Sequence, residues 1–205
     1  MENPFDAKAA QWDEQPARLR LAGDVAAAIA AAVPLRKSMN ALEFGCGTGL
    51  VTVALAPALA AITAVDTSAG MLDVLRNKTR TLSLPNIHPL QIDLTRDPLP
   101  AGDYDLVFSS MVFHHIRDCR AVLKTCRDLL KPGGWLAVAD LDAEDGSFHG
   151  PDARIEHQGF DRADFKAALK ALGFENLRDT TAATIPRQTA QGLRNYPVFL
   201  ITAQK

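Results

Sequence analysis

Short apolar runs alternate along this chain with segments in which apolar residues recur at helical spacing. Such runs are typical of strands buried on both faces of a sheet. The seven predicted strands are Ala41–Phe44, Ile62–Val65, Ile87–Ile92, Tyr104–Ser109, Trp135–Leu141, part of Phe174–Thr184, and Val198–Thr202. The main predicted helices are Arg18–Val33, Leu50 to about Ala60, Ala69–Leu82, Asp118–Leu130 and Asp161–Leu172. This alternation predicts a parallel sheet with helices on both of its faces.

The last two predicted strands depart from the alternation, because the connection between them, Ile185–Pro197, shows no helical pattern. Strands joined without a crossover helix pair as an antiparallel hairpin. The sequence therefore predicts an α/β fold: a doubly wound, seven-stranded, mostly parallel sheet with an antiparallel last strand and helices on both faces. A chain of 205 residues is long enough for one such domain, and no linker or repeat divides it.

Three glycines at alternate positions, Gly45, Gly47 and Gly49, lie between the first strand and the helix that follows it. A strand, a glycine turn and a helix N-terminus together form a nucleotide-binding corner. The spacing differs from the G-x-G-x-x-G fingerprint of dinucleotide-binding proteins. Glu43, two residues before the first glycine, would repel a pyrophosphate but suits a ligand with a cationic end. S-adenosylmethionine, which carries an ammonium and a sulfonium group and no phosphate, meets this requirement.

Acidic residues stand just beyond the second and third strands, at the edge where an open parallel sheet binds its ligands. Asp66 follows Gly47 by 19 residues, close to the spacing of the acid that binds ribose hydroxyls. Asp93 is placed to accept a hydrogen bond from an adenine amino group, and Met71 and Leu94 to sandwich the ring. Aspartate is common in turns, but acids in register on successive strand ends are a more specific signal.

Five stretches carry a recognisable series of motifs: Leu42-Glu43-Phe44-Gly45-Cys46-Gly47-Thr48-Gly49, Ala64-Val65-Asp66-Thr67-Ser68, Gln91-Ile92-Asp93-Leu94, Tyr104-Asp105-Leu106-Val107-Phe108-Ser109-Ser110, and Leu130-Lys131-Pro132-Gly133-Gly134-Trp135-Leu136. In this order they resemble the motifs of class I S-adenosylmethionine-dependent methyltransferases. The resemblance implies the same seven-stranded fold, S-adenosylmethionine as cofactor and S-adenosylhomocysteine as its product. It places the glycine loop under the methionine part, Asp66 at the ribose and Asp93 at the adenine. The residues predicted to contact the cofactor are Glu43, Gly45, Cys46, Gly47, Gly49, Asp66, Thr67, Met71, Asp93, Leu94 and Ser109.

The segment after the fourth strand, residues 111–116, is similar to small-molecule methyltransferases of the quinone-biosynthesis type. The Asn-Pro-Pro-Tyr signature of methyltransferases that act on amino groups of DNA or glutamine is absent there. We therefore expect a small, partly apolar acceptor in a closed pocket rather than a polymer in an open charged groove. The residues predicted to contact it are Trp12, Met111, Phe113 and His149.

A general base is needed only if the acceptor must lose a proton. His114 and His115 are the candidate catalytic residues. The alternative is that they make structural hydrogen bonds at the start of the next helix, because histidine is also a common packing residue.

Phe5 and Trp12 lie seven residues apart, a helical spacing, in an otherwise polar N-terminal stretch. They either anchor this stretch to the core or form a lid that brings an aromatic ring over the site. We expect residues 1–40 to form an N-terminal lid and helix, residues 41–142 the cofactor-binding half, and residues 143–205 the acceptor-side half of a single domain.

Composition narrows the class of partners and the compartment. A hydrophobic content of 47%, a net charge of −2 and a pI near 6.2 indicate a globular protein with no general attraction to nucleic acid. The three cysteines have no metal-ligand spacing and are typical of small buried residues, so no metal is expected. No signal peptide is recognisable, and the apolar run Val25–Val33 is too short to span a bilayer. These features predict a cytoplasmic protein without a membrane span; the oligomeric state stays open.

Two other functions remain as alternatives. An NAD-dependent oxidoreductase is disfavoured by the glycine spacing and by the absence of a Tyr-x-x-x-Lys motif. A non-catalytic subunit that binds S-adenosylmethionine and supports a partner is compatible with intact cofactor motifs, because binding and turnover are separate properties.

Overall fold

The computed structural model describes residues 3–93, 96–97, 102–150, 153, 155–189 and 192–205. The strands are β1 (Asn40–Phe44), β2 (Ala61–Asp66), β3 (Ile87–Gln91), β4 (Tyr104–Ser110), β5 (Leu130–Leu141), β6 (Glu175–Thr189) and β7 (Gly192–Gln204). The α-helices are α1 (Pro16–Ala32), α2 (Leu50–Leu55), α3 (Ala69–Thr81), α4 (Cys119–Leu129) and α5 (Arg162–Ala171). Three short 3₁₀ helices, Asp6–Glu14, Ala56–Ala58 and Phe113–His115, complete the described elements.

The seven strands form one sheet in the order β3-β2-β1-β4-β5-β7-β6. The first five strands pair in parallel, and β7 runs antiparallel to both of its neighbours. The predicted fold class is therefore confirmed, with β7 as the antiparallel last strand. β1 lies between β2 and β4, so the winding direction of the chain reverses there and opens a crevice at the carboxyl ends of β1 and β4.

The sheet separates two hydrophobic clusters. Adjacent residues on β1 point into different clusters: Ala41 into one together with α1, α2 and α3, and Leu42 into the other together with α4 and α5. This alternation is the consequence of the two-residue side-chain period of a strand. Helices therefore cover both faces, as the sequence predicts, and the carboxyl edge of the sheet is left for ligands.

The segment Ile185–Pro197 is not the connection that the sequence predicts. Residues 185–189 continue β6 and residues 192–197 begin β7, and they pair across the hairpin, for example Ile185 with Tyr196 and Arg187 with Arg194. Two prolines, Pro186 and Pro197, lie in these strands. Pro186 is tolerated because β6 is the edge strand of the sheet. Pro197 is tolerated because it lies beyond the end of β5, whose last pairing with β7 is Leu141 with Val198.

Residues 131–134, whose proline and two glycines are typical of a turn, also belong to a strand. β5 begins at Leu130, immediately after α4, and the register against β4 shifts between Tyr104 and Leu106. Gly133 accommodates the irregularity with a φ of 76°, and a Cβ added there would meet no heavy atom within 4 Å.

Two glycines with nearly the same backbone conformation should differ in their tolerance of a methyl group. Gly49 has a φ of 75°, like Gly133, but a Cβ there would come within 2.3 Å of Cδ1 of Leu75, which is fully buried and has little room to move. Gly133→Ala should cost about 1–2 kcal/mol of unfolding free energy, the strain of a left-handed alanine. Gly49→Ala should cost a further ~1–3 kcal/mol for overpacking.

Urea unfolding of both variants beside the unsubstituted protein measures the difference. Equal losses for the two substitutions would show that Leu75 does not constrain the glycine loop.

Candidate cofactor and acceptor site

The glycine loop lies at the carboxyl end of β1, and its glycines have different surroundings. A Cβ on Gly45 would come within 2.4 Å of Cγ2 of Val112, and one on Gly49 would strike Leu75. At Gly47, whose φ is 53°, no heavy atom lies within 4 Å of the added Cβ position. The outer two glycines are therefore required by the packing of the protein, whereas the middle one faces open space.

Asp66 fixes this loop to the end of β2. Its Oδ2 accepts a hydrogen bond from the amide of Gly47 (2.7 Å), and its Oδ1 accepts one from the amide of Ser68 (2.8 Å). The amide of Cys46 donates to the carbonyl of Val65 beside it (3.0 Å). Burial raises the pKa of the Asp66 carboxyl, and the three backbone amides around it oppose that effect. Each carboxylate oxygen retains a lone pair for a ligand.

Glu43 is buried beneath this loop, with 2% of its surface exposed, and its Oε2 accepts a hydrogen bond from the hydroxyl of Thr52 on α2. Burial raises the pKa of Glu43 to about 8, against the opposing effect of Thr52, and the nearby charge of Asp66 adds to the rise. The sequence suggests a charged carboxylate at this position. In the folded protein the group is mainly protonated at neutral pH, and a cationic ligand would favour its ionisation.

The other predicted cofactor residues lie around the same edge of the sheet. Met71 is buried in the first turn of α3. Asp93 follows β3 and lies 3.7 Å from the guanidinium of Arg96. The hydroxyl of Ser109 donates to the carbonyl of Phe44 (2.9 Å) and so joins β4 to β1. Leu94 lies outside the described residues.

Cys46 and Thr67 complete the set. Cys46 is buried, and its burial raises the pKa of the thiol well above its usual range, which leaves packing and its backbone as its contributions. The hydroxyl of Thr67 accepts a hydrogen bond from the side-chain amide of Asn3 (2.9 Å). The N-terminal stretch therefore reaches the cofactor crevice.

Two aspartates of the N-terminal stretch, which sequence reasoning missed, dock it onto this crevice. Oδ1 of Asp6 accepts hydrogen bonds from the Ser68 hydroxyl (2.5 Å) and the Gly70 amide (3.0 Å) at the start of α3. These bonds lower the pKa of the Asp6 carboxyl, chiefly through Ser68. The close approach of Asp6 also explains Gly70, where a Cβ would lie 3.1 Å from the Asp6 carbonyl oxygen.

Asp13 makes the second attachment. It accepts a hydrogen bond from the hydroxyl of Thr48 in the glycine loop (2.6 Å) and forms an ion pair with Lys78 of α3 (2.5 Å). Lys78 also donates to the carbonyl of Thr48 (2.8 Å). The 3₁₀ helix Asp6–Glu14 therefore spans from the glycine loop to α3.

The aromatic residues of this 3₁₀ segment face the histidines that follow β4. The Phe5 ring packs edge-on against Trp12, with centroids 5.9 Å apart, and against His115 at 5.6 Å. Phe5 and Trp12 are both partly exposed rather than buried in the core. Of the two interpretations of these residues, their position favours the lid.

His114 is held by a buried carboxylate. His114 is 1% exposed and Asp140 is fully buried, and Nδ1 of the histidine lies 2.6 Å from Oδ1 of the aspartate. Asp140 also accepts from the backbone amides of His114 (3.3 Å) and Leu141 (2.8 Å), which fix its orientation. Asp140 was not among the predicted residues, because nothing in the sequence distinguishes it from the other polar residues near the end of β5.

A third histidine completes the cluster. The His149 ring lies 4.9 Å from that of His114 and 6.0 Å from that of His115, centroid to centroid. Its Nε2 is buried and has no hydrogen-bond partner among the described residues. Burial lowers the pKa of His149 to about 4, and the neighbouring His114, His115 and Arg187 act in the same direction. His149 is therefore neutral at pH 7, with one ring nitrogen able to accept a hydrogen bond and the other able to donate one.

The structure places the two remaining predicted acceptor residues differently. Met111 lies directly after β4 with a φ of 59°, a strained conformation for a residue with a side chain, and its amide donates to Ala139 (2.8 Å). Phe113 is completely buried between Phe44 and Phe165. Its ring is part of the hydrophobic cluster that includes α4 and α5, and its contact with an acceptor stays a prediction.

These features fit the cofactor expected from the sequence. The open space beside Gly47 lies next to Asp66, whose oxygens can accept further hydrogen bonds, and above Glu43, which can ionise toward a cation. Within the part of the chain that the structure describes, no three His, Cys, Asp or Glu side chains are grouped to hold a metal ion.

Comparison with known proteins agrees with this geometry. Residues 42–136 match the methyltransferase domain family. An uncharacterised methyltransferase of Schizosaccharomyces pombe is 36% identical over 122 residues, which are 56% of this chain and 43% of that protein. A ubiquinone biosynthesis O-methyltransferase of Marinobacter nauticus is 28% identical over 149 residues, 70% of this chain and 63% of that protein. The chain thus spans roughly half the length of these relatives.

A solved structure shows the same fold. Phosphoethanolamine N-methyltransferase 2 of Haemonchus contortus, in complex with S-adenosyl-L-methionine, superposes with a TM-score of 0.72 at 16% identity, over 88% of this chain and 52% of that one. The family match, the sequence relatives and the fold agree with the glycine loop and the strand-end acids. Residues 42–136 of this chain are therefore similar in sequence to methyltransferase domains, and the described part of the chain shares the fold of a solved methyltransferase.

Proposed function

We propose that this protein transfers a methyl group from S-adenosylmethionine to a small, partly apolar acceptor. The observation that carries the proposal is the open space beside Gly47, next to Asp66 at the topological switch point of the sheet. Bound there, the cofactor supplies a methyl group that its sulfonium already activates for in-line displacement. The similarity to a ubiquinone biosynthesis O-methyltransferase supports an acceptor of this kind.

The cofactor-binding half, residues 41–142, would hold the donor by its polar groups. Asp66 accepts from the ribose hydroxyls with the lone pairs that Gly47 and Ser68 leave free, and such charge-assisted bonds are strong. Glu43 ionises toward the cationic methionine part. Met71 and Asp93 meet the adenine, while Ser109 supports the crevice from β4.

The acceptor would lie between the N-terminal segment and residues 143–205. Trp12 and Met111 offer apolar surface, and His149 offers a neutral polar group beside it. The attachments of Asp6 and Asp13 hold the N-terminal segment over the crevice, which excludes water from the reacting groups. A pocket covered in this way suits a metabolite better than a polymer.

The histidine cluster is placed to take a proton where the acceptor must lose one. Asp140 orients His114 through Nδ1, which leaves the other ring nitrogen of His114 to exchange a proton with a neighbour. His149 is neutral at pH 7 and His115 contacts the lid at Phe5, so the three rings link the buried carboxylate to the acceptor side. Proton removal by a positioned histidine contributes roughly 10²–10⁴-fold to such a reaction.

The family match bears on the NAD-dependent oxidoreductase, whereas only a turnover experiment separates an enzyme from a non-catalytic subunit. An NAD-dependent oxidoreductase is opposed by the family match over residues 42–136. A non-catalytic cofactor-binding subunit would retain cofactor binding without turnover.

Among the described residues no helix has the length and apolar character needed to cross a membrane.

The pKa of Glu43 predicts how stability depends on pH in the absence of cofactor. The folded-state pKa is about 8 against a usual value of 4.5, so the folded protein binds this proton more tightly than the unfolded chain does. Between these two values the stability of the fold therefore falls as pH rises, by roughly 1 kcal/mol per pH unit. Glu43→Gln keeps the acceptor for Thr52 and cannot ionise, so it should remove this slope.

Urea unfolding at pH 5, 6, 7 and 8 provides the measurement. Relative to the unsubstituted protein, Glu43→Gln should gain stability steadily with rising pH. Parallel stability curves for the two proteins would contradict the buried, protonated state of Glu43.

The proposed activity is tested by incubating the protein with methyl-labelled S-adenosylmethionine and a metabolite extract, then identifying what gains the label. We expect label in small molecules, and loss of most transfer in a variant that combines Asp6→Asn and Asp13→Asn, because its lid is released. Binding of S-adenosylhomocysteine without label in any product would favour the non-catalytic subunit. In a parallel incubation with an unfractionated cell extract, label confined to protein or nucleic acid would contradict a small acceptor.

A further inference from the structure

Two arginines border the aromatic wall of the acceptor side. The Arg18 guanidinium carbon lies 3.6 Å from the centroid of the Trp12 ring, and its Nη1 donates to the Trp12 carbonyl (3.0 Å). From Trp12 the aromatic contacts continue through Phe5 to His115. Trp12 thus holds Arg18 against the N-terminal segment by stacking on one face of the guanidinium group.

The second arginine approaches the same wall from the β6–β7 hairpin. The Arg187 guanidinium carbon lies 4.1 Å from the centroid of the Phe148 ring, and this ring packs at 4.7 Å against His149. α1 packs against β6, which brings Arg18 and Arg187 to neighbouring positions. A continuous series of ring contacts therefore connects Arg18, through Trp12, Phe5 and the histidines, to Phe148 and Arg187.

The two arginines lie on packed elements, α1 and β6, and their charges act on each other. Burial lowers the pKa of Arg18, and the positive charge of Arg187 lowers it further, while Asp13 acts in the opposite direction. Arg187 also contributes to the lowered pKa of His149. An anion bound by both guanidinium groups would relieve this repulsion.

The acidic side chains around this pocket are already engaged. Asp13 pairs with Lys78, Asp140 with His114, and Asp145 with Arg194. Oε2 of Glu144 accepts from the amide of Phe148 (3.1 Å), while its Oε1 is buried without a hydrogen-bond partner among the described residues. Across the described residues, no ion pair within 4.0 Å includes Arg18 or Arg187. Both guanidinium groups are therefore left without a carboxylate of the protein within ion-pair distance.

We infer that the acceptor carries an anionic group, a carboxylate or a phosphate, which Arg18 and Arg187 bind together while its apolar part lies against the partly exposed rings of Trp12 and Phe5. The inference rests on the proposed function and specifies its substrate class. Guanidinium groups suit this task, because their fork of N–H donors matches a carboxylate or phosphate and their faces can remain stacked on aromatic rings. An anion held in this way would also join the lid and α1 to the hairpin.

The experiment uses a metabolite extract separated by ion exchange into acidic, neutral and basic fractions, each incubated with the protein and methyl-labelled S-adenosylmethionine. Label should enter the acidic fraction. For the labelled acceptor, Arg18→Gln and Arg187→Gln should each lower kcat/KM by roughly 10- to 100-fold, mainly through KM, as expected for the loss of a hydrogen bond to a charged group. Arg20→Gln, an exposed arginine on the same helix, serves as the matched control and should leave kcat/KM unchanged.

The other outcomes of this experiment distinguish a phosphate from a carboxylate, and the anionic acceptor from methyl transfer itself. Phosphatase treatment of the acidic fraction beforehand should abolish labelling if the group is a phosphate and leave it intact if the group is a carboxylate. Label confined to the neutral or basic fraction, or an unchanged KM in both arginine variants, would overturn the anionic acceptor while leaving methyl transfer standing. Absence of label in every fraction would overturn the proposed function and this inference with it.

Discussion

The carboxylate of Asp66 joins the glycine loop to the start of α3, where we propose that the cofactor binds. A loop with three glycines is intrinsically mobile, and the amide hydrogen bond from Gly47 to Asp66 fixes its middle residue against the end of β2. The same carboxylate binds the amide of Ser68 at the start of α3. One side chain thus sets the relative positions of the glycine loop and α3, the two structures between which we propose the donor lies.

The N-terminal segment also joins the glycine loop to α3, through two aspartates of its own. Asp6 binds the start of α3, and Asp13 binds the glycine loop and Lys78, so the segment crosses over the crevice that Asp66 organises. Its aromatic rings then reach His115, and through the histidine cluster they meet the buried carboxylate of Asp140. Donor and acceptor sides are consequently linked by one covering element, which explains why its attachments consist of charged hydrogen bonds rather than core packing.

The sequence predicts those parts of the fold that depend on local pattern. The strands, the glycine loop and the strand-end acids Asp66 and Asp93 follow from periodicity and spacing, because parallel strands bring their carboxyl ends to one edge. The partners of Asp6, Asp13 and Asp140 lie far away in sequence or on another strand, so no local pattern reveals them. The burial of Phe113 could not be predicted, because the helices that cover it lie elsewhere in the chain. The β6–β7 hairpin was predicted, but its strands are longer than expected, because Pro186 and Pro197 resemble loop signals and are tolerated only where a strand lacks a neighbour.

The central claim is that the cofactor occupies the space beside Gly47, and a calorimetric titration with S-adenosylhomocysteine tests it most directly. Gly47→Ala adds one methyl group to that space, and it resembles Gly133→Ala in adopting a positive φ with no protein atom within 4 Å of the new Cβ. We expect similar stability for the two variants, unchanged affinity in Gly133→Ala, and an affinity about 5- to 150-fold weaker in Gly47→Ala, corresponding to an overpacking cost of ~1–3 kcal/mol. Equal affinity in the two variants, or binding of NAD in place of S-adenosylhomocysteine, would contradict it.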